Sequence, residues 1–146
     1  MADVTAQARI EAPAEKIWDR LTDFDRYEQW NATHTSFPEG GPATLEPGAT
    51  YTENMKLMGF PAEVTWTVRA VEPARLLDLQ GEGPMGVNLG MRYALVPESE
   101  AMAGATTVRI DGSFTGAAVS LMAGKLRDSA TSALEESLGR LARLVA

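Results

Sequence analysis

The sequence predicts an α+β domain in which a curved antiparallel sheet of about seven strands wraps around one long C-terminal helix, with two short helices after the first strand. Three observations carry this. Alternating side chains recur in short segments separated by Gly/Pro turns, which is the signature of an antiparallel meander. After Pro13 the period lengthens from two to that of a helix. The last stretch, from about Ala117 to Val145, holds no proline and keeps one apolar stripe.

Taken in order, Val4 to Glu11 alternates as a half-buried strand and ends at Ala12-Pro13. Pro13 suits a first helical turn, Glu15 is acidic near the N-terminus, and Ile17, Trp18 and Leu21 share a face, so a helix runs to about Leu21. Thr22 or Asp23 is placed to cap a second short helix carrying Phe24, Tyr27 and Trp30, with Asn31 at its end. His34 to Phe37 is strand-like, and Pro38 to Pro42 and Glu46-Pro47-Gly48 are turn signals. Four longer strands follow: Ala49 to Met58, Ala62 to Val71, Arg75 to Gly81 and Val87 to Val96, joined at Gly59-Phe60-Pro61, Glu72-Pro73-Ala74 and Glu82-Gly83-Pro84. Thr106 to Thr115 is the last strand, and the terminal helix then aligns Leu121, Met122, Leu126, Ala130, Leu134, Leu138, Leu141 and Val145.

At 146 residues, with 45% hydrophobic and 23% charged residues, the chain is expected to form one domain over residues 1–146. No apolar run approaches the roughly 18–20 residues that span a bilayer, and no signal-peptide pattern opens the sequence, so a soluble, cytoplasmic protein without stable membrane insertion is expected. The absence of cysteine excludes disulfides, thiolate metal sites and cysteine nucleophiles, and a single histidine excludes His-rich metal sites. A net charge of −7 with scattered Lys and Arg disfavours a nucleic-acid partner. No phosphate-binding glycine loop or metal-ligand spacing is present, so no cofactor is expected.

A bent sheet cannot touch a straight helix along its whole length, and the space left at one end is filled by side chains or by a ligand. Gly81, Gly90 and Gly112 permit such bends. Parity places Tyr51, Glu53, Met55 and Leu57, then Val64, Trp66 and Val68, Leu77 and Leu79, Val87, Leu89, Met91 and Tyr93, and Val108, Ile110 and Phe114 on the inner face. From this wall and its surroundings the candidate ligand contacts are Trp30, His34, Tyr51, Glu53, Met55, Trp66, Leu79, Leu89, Met91, Tyr93, Phe114, Met122 and Leu126. Met55, Met58, Met91 and Met122 can adapt to a ligand or serve as core filler.

Among polar candidates Glu53 is the most informative, because a carboxyl set among Tyr51, Met55 and Leu57 has the character of an acid–base group. The alternative is a position at the sheet rim, or a bulge that reverses parity and exposes it. His34, the only imidazole, is either a ligand-orienting or proton-shuttling group at the pocket entrance or a surface or structural residue. Trp30 and Trp66 either stack on a planar ligand or belong to the core, and the Tyr93 hydroxyl can meet a ligand carbonyl. His34 has no acid and no nucleophile beside it in a recognisable setting, so no Ser-His-Asp grouping is readable.

The stretch Ile10-Glu11-Ala12-Pro13-Ala14-Glu15-Lys16-Ile17-Trp18, then Leu21-Thr22-Asp23-Phe24 with Tyr27 and Trp30, and Val71-Glu72-Pro73-Ala74-Arg75-Leu76 resemble the START-like or SRPBCC superfamily with the helix-grip fold, in its polyketide cyclase/dehydratase and lipid-transport-like branch. The likeness covers nearly the whole chain. Asp25 to Trp30 with His34, and Met58-Gly59-Phe60-Pro61 before Val64 to Val68, are similar to an actinobacterial subgroup with a mycobacterial relative described as a toxin of a toxin–antitoxin pair. The resemblance implies a hydrophobic ligand held between sheet and helix, while fold alone does not set the reaction. Three functions follow. One is a non-catalytic binder or carrier of a lipid, polyketide or similar molecule. Another is a cyclase or dehydratase in which Glu53, His34 or Tyr93 moves protons. The third is a toxin-like or regulatory protein acting on a protein partner that these residues do not identify.

Overall fold

The computed structural model describes residues 2–42, 44–57, 60–98 and 104–145. In chain order the elements are β1 (Ala2–Ile10), α1 (Ala14–Leu21), a 3-10 segment (Phe24–Gln29), β2 (His34–Ser36), β3 (Thr50–Leu57), β4 (Phe60–Glu72), β5 (Leu76–Glu82), a short 3-10 turn (Pro84–Gly86), β6 (Asn88–Pro97), β7 (Thr106–Thr115) and α2 (Ala117–Val145). The seven strands form one sheet in the order β1-β7-β6-β5-β4-β3-β2, every neighbouring pair antiparallel. This is the curled α+β architecture expected, a sheet gripping one long helix.

α1 starts where expected, with extended Pro13 at its N-cap and Ile17 and Leu21 wholly buried beneath it. The expected cap of the next segment does not form. The Thr22 hydroxyl donates back to the Trp18 carbonyl at 2.8 Å, because Thr22 is already engaged in ending α1, and Asp23 pairs with Arg26 at 3.1 Å. The segment that follows is a 3-10 run with a non-helical Arg26, which tucks Tyr27 and Trp30 under the sheet.

β4 runs past the expected boundaries, taking in Phe60-Pro61 and ending at Glu72. Proline lacks an N–H for the ladder, yet Pro61 is tolerated because β5 pairs with β4 only from Thr65 onward, so one side of the strand has no partner there. The β4–β5 register shifts between Val68 and Ala70 and not at a glycine. Gly81 serves close packing instead: a Cβ there would lie 2.7 Å from Val64 and 2.8 Å from the Trp66 ring. In β3 the register with β4 is unbroken from Thr50 to Leu57, so parity holds along that strand.

The core lies between the inner sheet face and α2, where Val64, Leu77, Val108 and Ile110 face Leu138, Leu141 and Val145. α2 rests mainly on β1, α1 and β7 and only grazes β3. The expected stripe holds for Leu126, Leu138, Leu141 and Val145, with Ala130 and Leu134 half-buried. Met122 sits at a break in the helix (φ −127°, ψ 16°) and is 42% exposed. Met58 and the side chains of Leu57 and Leu121 lie outside the described residues.

Candidate ligand-binding site

Because α2 leans toward β1 and β7, a gap remains between it and the β3–β6 half of the sheet. This gap is a cavity of about 60 Å³, open on one side. β3 supplies Tyr51, Glu53 and Met55, β4 Trp66, β5 Leu79, and β6 Leu89, Met91 and Tyr93. β7 adds Ile110 and Phe114, and β1 adds Val4. Tyr27 and Trp30 close the deep end from the 3-10 segment and its cap. α2 contributes Leu126, Ala130, Leu134 and Ser137, while Asn31, Thr33, Lys56, Ser129 and Ala133 complete the lining, with Lys56 and Ser129 exposed at the mouth. Small residues on α2 at helical spacing (Ser129, Ala130, Ala133, Ser137) are what leave the gap unfilled.

Eleven of the thirteen candidate contacts therefore face this cavity: Trp30, Tyr51, Glu53, Met55, Trp66, Leu79, Leu89, Met91, Tyr93, Phe114 and Leu126. His34 lies behind the wall, and Met122 points away from it at the helix break. Tyr27 and Ser137 are the additions that matter most. Tyr27 was legible only as an aromatic at helical spacing. Ser137 breaks the apolar stripe of α2, and its hydroxyl accepts the Ala32 N–H at 2.9 Å, tying the helix to the segment before β2.

Glu53 is buried, so neither the rim position nor a reversed parity applies. Its carboxyl is held at both oxygens: Oε1 accepts the Trp66 indole N–H at 2.9 Å, and Oε2 meets His34 Nδ1 at 2.5 Å. His34 thus does have an acid beside it, contrary to the sequence expectation. β2 pairs His34 with Met55, which makes Glu53 its diagonal cross-strand neighbour. The imidazole is a buried partner of the carboxyl, its side chain only 3% exposed.

Phe24, Tyr27, Trp30, His34, Phe37, Tyr51 and Tyr93 form one cluster of rings. Tyr27 meets Trp30 at 5.0 Å and His34 at 5.2 Å between ring centroids, and Trp30 meets Tyr93 at 6.1 Å, all edge-on. Burial pushes all three phenols, Tyr27, Tyr51 and Tyr93, well above the usual tyrosine value, and the Glu53 charge adds to the effect at each. Contact with the Tyr27 hydroxyl partly offsets this at Tyr93. Trp30 is 1% exposed, and its Nε1–H meets no acceptor among the described residues. Also among these residues, no group of three His, Cys, Asp or Glu is placed to hold a metal, and no helix is long and apolar enough to cross a membrane.

Comparison with known proteins agrees with this architecture. The family model for polyketide cyclase / dehydrase and lipid transport matches residues 1–146. Toxin Rv0910 of Mycobacterium tuberculosis is 24% identical over 112 residues, covering 77% of this chain and 78% of that protein. Among solved structures, a START superfamily protein from Mycobacterium smegmatis superposes with a TM-score of 0.73 at 19% identity, over 99% of both chains. DynU16, from the dynemicin biosynthetic locus, superposes with a TM-score of 0.67 at 22% identity over 98% of this chain, which spans only 46% of the DynU16 chain. With its fold shared by these structures and its sequence matched from residue 1 to residue 146, the chain belongs to the polyketide cyclase / dehydrase and lipid transport family.

Proposed function

We propose that this chain binds a hydrophobic small molecule, a lipid, polyketide or similar compound, in the cavity between its sheet and α2. The observation that carries this reading is the gap itself, an apolar wall with few polar groups and an opening beside Lys56 and Ser129. Binding then draws on burial of apolar surface, worth about 25 cal/mol per Å². At about 60 Å³ the gap is smaller than the roughly 150 Å³ cavity known to take up benzene, so a larger ligand displaces α2 or the rim as it enters. Filling the gap tests the reading. With the neutral fluorescent probe N-phenyl-1-naphthylamine, the wild-type protein is expected to bind, and Ala133→Phe to bind at least about tenfold more weakly, roughly 1.4 kcal/mol, with an unchanged melting temperature. Equal probe binding by both proteins would remove the cavity as the site.

A second reading, acid–base catalysis, is favoured by one observation: the Glu53 carboxyl lines the cavity with His34 held against it. A base so placed accelerates loss of the acidic proton of a 1,3-diketone. The expected outcome for an enzyme is hydrogen–deuterium exchange at the central carbon of benzoylacetone that falls about 100-fold or more in Glu53→Gln. Exchange that matches buffer, or that is unaltered in Glu53→Gln, leaves binding alone.

A further inference from the structure

We propose that Trp30 is a specificity-determining residue whose indole N–H holds an uncharged acceptor oxygen, such as a ketone or ester carbonyl, at the deep end of the bound molecule. The inference rests on the binding reading above and deepens it. A buried N–H with no acceptor carries a desolvation cost, which a ligand oxygen reaching it would relieve. Trp30 is 1% exposed, lines the cavity, and has no protein acceptor among the described residues. The rings of Tyr27 and Tyr93 beside it are weak acceptors. Trp66 gives the contrast within the same wall, since its own indole N–H is satisfied by Glu53 at 2.9 Å.

The charge pattern selects an uncharged oxygen. Glu53 faces the cavity, whereas His34, its partner, does not line it. The one cationic residue among the lining side chains, Lys56, is exposed at the mouth. A carboxylate at the Trp30 end would lie in a cavity that presents another carboxyl and offers no cation at depth, so it would lose hydration without gaining a counter-ion. A carbonyl accepts the indole hydrogen without that cost.

Three probes of one shape separate these contributions: acetophenone, α-methylstyrene, in which CH₂ replaces the carbonyl oxygen, and benzoate, in which a charged oxygen replaces the methyl group. Titrations followed by the three indole N–H resonances are expected to show acetophenone binding about five- to tenfold more tightly than α-methylstyrene, and benzoate most weakly. Acetophenone moves the Trp30 resonance downfield and α-methylstyrene does not. In Trp30→Phe, which keeps an aromatic ring between Tyr27 and Tyr93, the ketone-to-alkene ratio falls to about one. The inference is overturned if ketone and alkene bind the wild-type protein equally, if the ketone preference survives in Trp30→Phe, if benzoate binds best, or if the Trp30 resonance ignores the ketone. The resonance readout stands even where the variant does not fold. Failure of all three probes to bind removes the binding reading itself, and the inference with it, which is distinct from equal binding of ketone and alkene.

Discussion

Glu53→Ala is expected to lower the stability of the folded protein by about 2–6 kcal/mol, the cost of leaving two buried polar groups without their partner. The size follows from what the carboxyl satisfies. His34, with a side chain 3% exposed, loses its 2.5 Å partner, and the buried Trp66 indole loses the carboxyl oxygen that accepts its N–H at 2.9 Å. Each orphaned group costs about 1–3 kcal/mol, because water does not reach it. Glu53→Gln is expected to lose less, since its amide oxygen still accepts from Trp66 and its NH₂ can donate to the imidazole. Urea denaturation at pH 7 measures both, with Thr65→Ala on the exposed face of β4 as a control that shifts stability by under about 1 kcal/mol. A loss below about 1 kcal/mol for Glu53→Ala would mean that the carboxyl is not holding this wall together.

The second large effect concerns alkaline pH. The chain has three tyrosines, and the structure places all of them in the cavity wall: Tyr27, Tyr51 and Tyr93. Burial is the leading cause that lifts each above its ordinary value of 10.0, and the phenols and Glu53 also act on one another. In the unfolded chain these groups ionise near pH 10, whereas the folded protein keeps its protons. The native state then binds more protons than the unfolded state, so their contribution to stability is complete below pH 10 and is lost as pH rises above it. Absorbance at 295 nm is therefore expected to stay flat through pH 10 while the circular dichroism is native, then to rise together with the loss of ellipticity. A tyrosinate signal that develops near pH 10 in a still-folded protein would show that at least one phenol reaches water.

What the sequence revealed and what it hid divide along sequence distance. Alternation in Tyr51-Glu53-Met55 depends only on neighbours, and the unbroken β3–β4 register preserves it, so the inward position of Glu53 was legible. Its bond to His34 was not, because the two strands are joined by a long turn-rich segment and their alignment is fixed by β2–β3 pairing, which periodicity does not encode. The same holds for Trp30: helical spacing marked it as either a ligand contact or a core residue, but its unanswered N–H depends on the acceptors that the fold brings around it. The break at Met122 lies in a stretch with no proline to announce it, and it turns aside a residue that the apolar stripe alone would direct inward.

The pairing of β1 with β7 has a further consequence for how the molecule assembles. Ala2 stands opposite Phe114 and Ile10 opposite Thr106, so β1, an edge strand of the sheet, pairs with residues roughly a hundred positions later in the chain. Local hairpins from β3 to β7 close short loops at small entropic cost, whereas pairing β1 with β7 closes a loop of roughly a hundred residues. During synthesis the first strand waits, its edge unpaired, until β7 leaves the ribosome, and α2 follows only after that. Pairing of β1 thus depends on a strand made roughly a hundred residues after it.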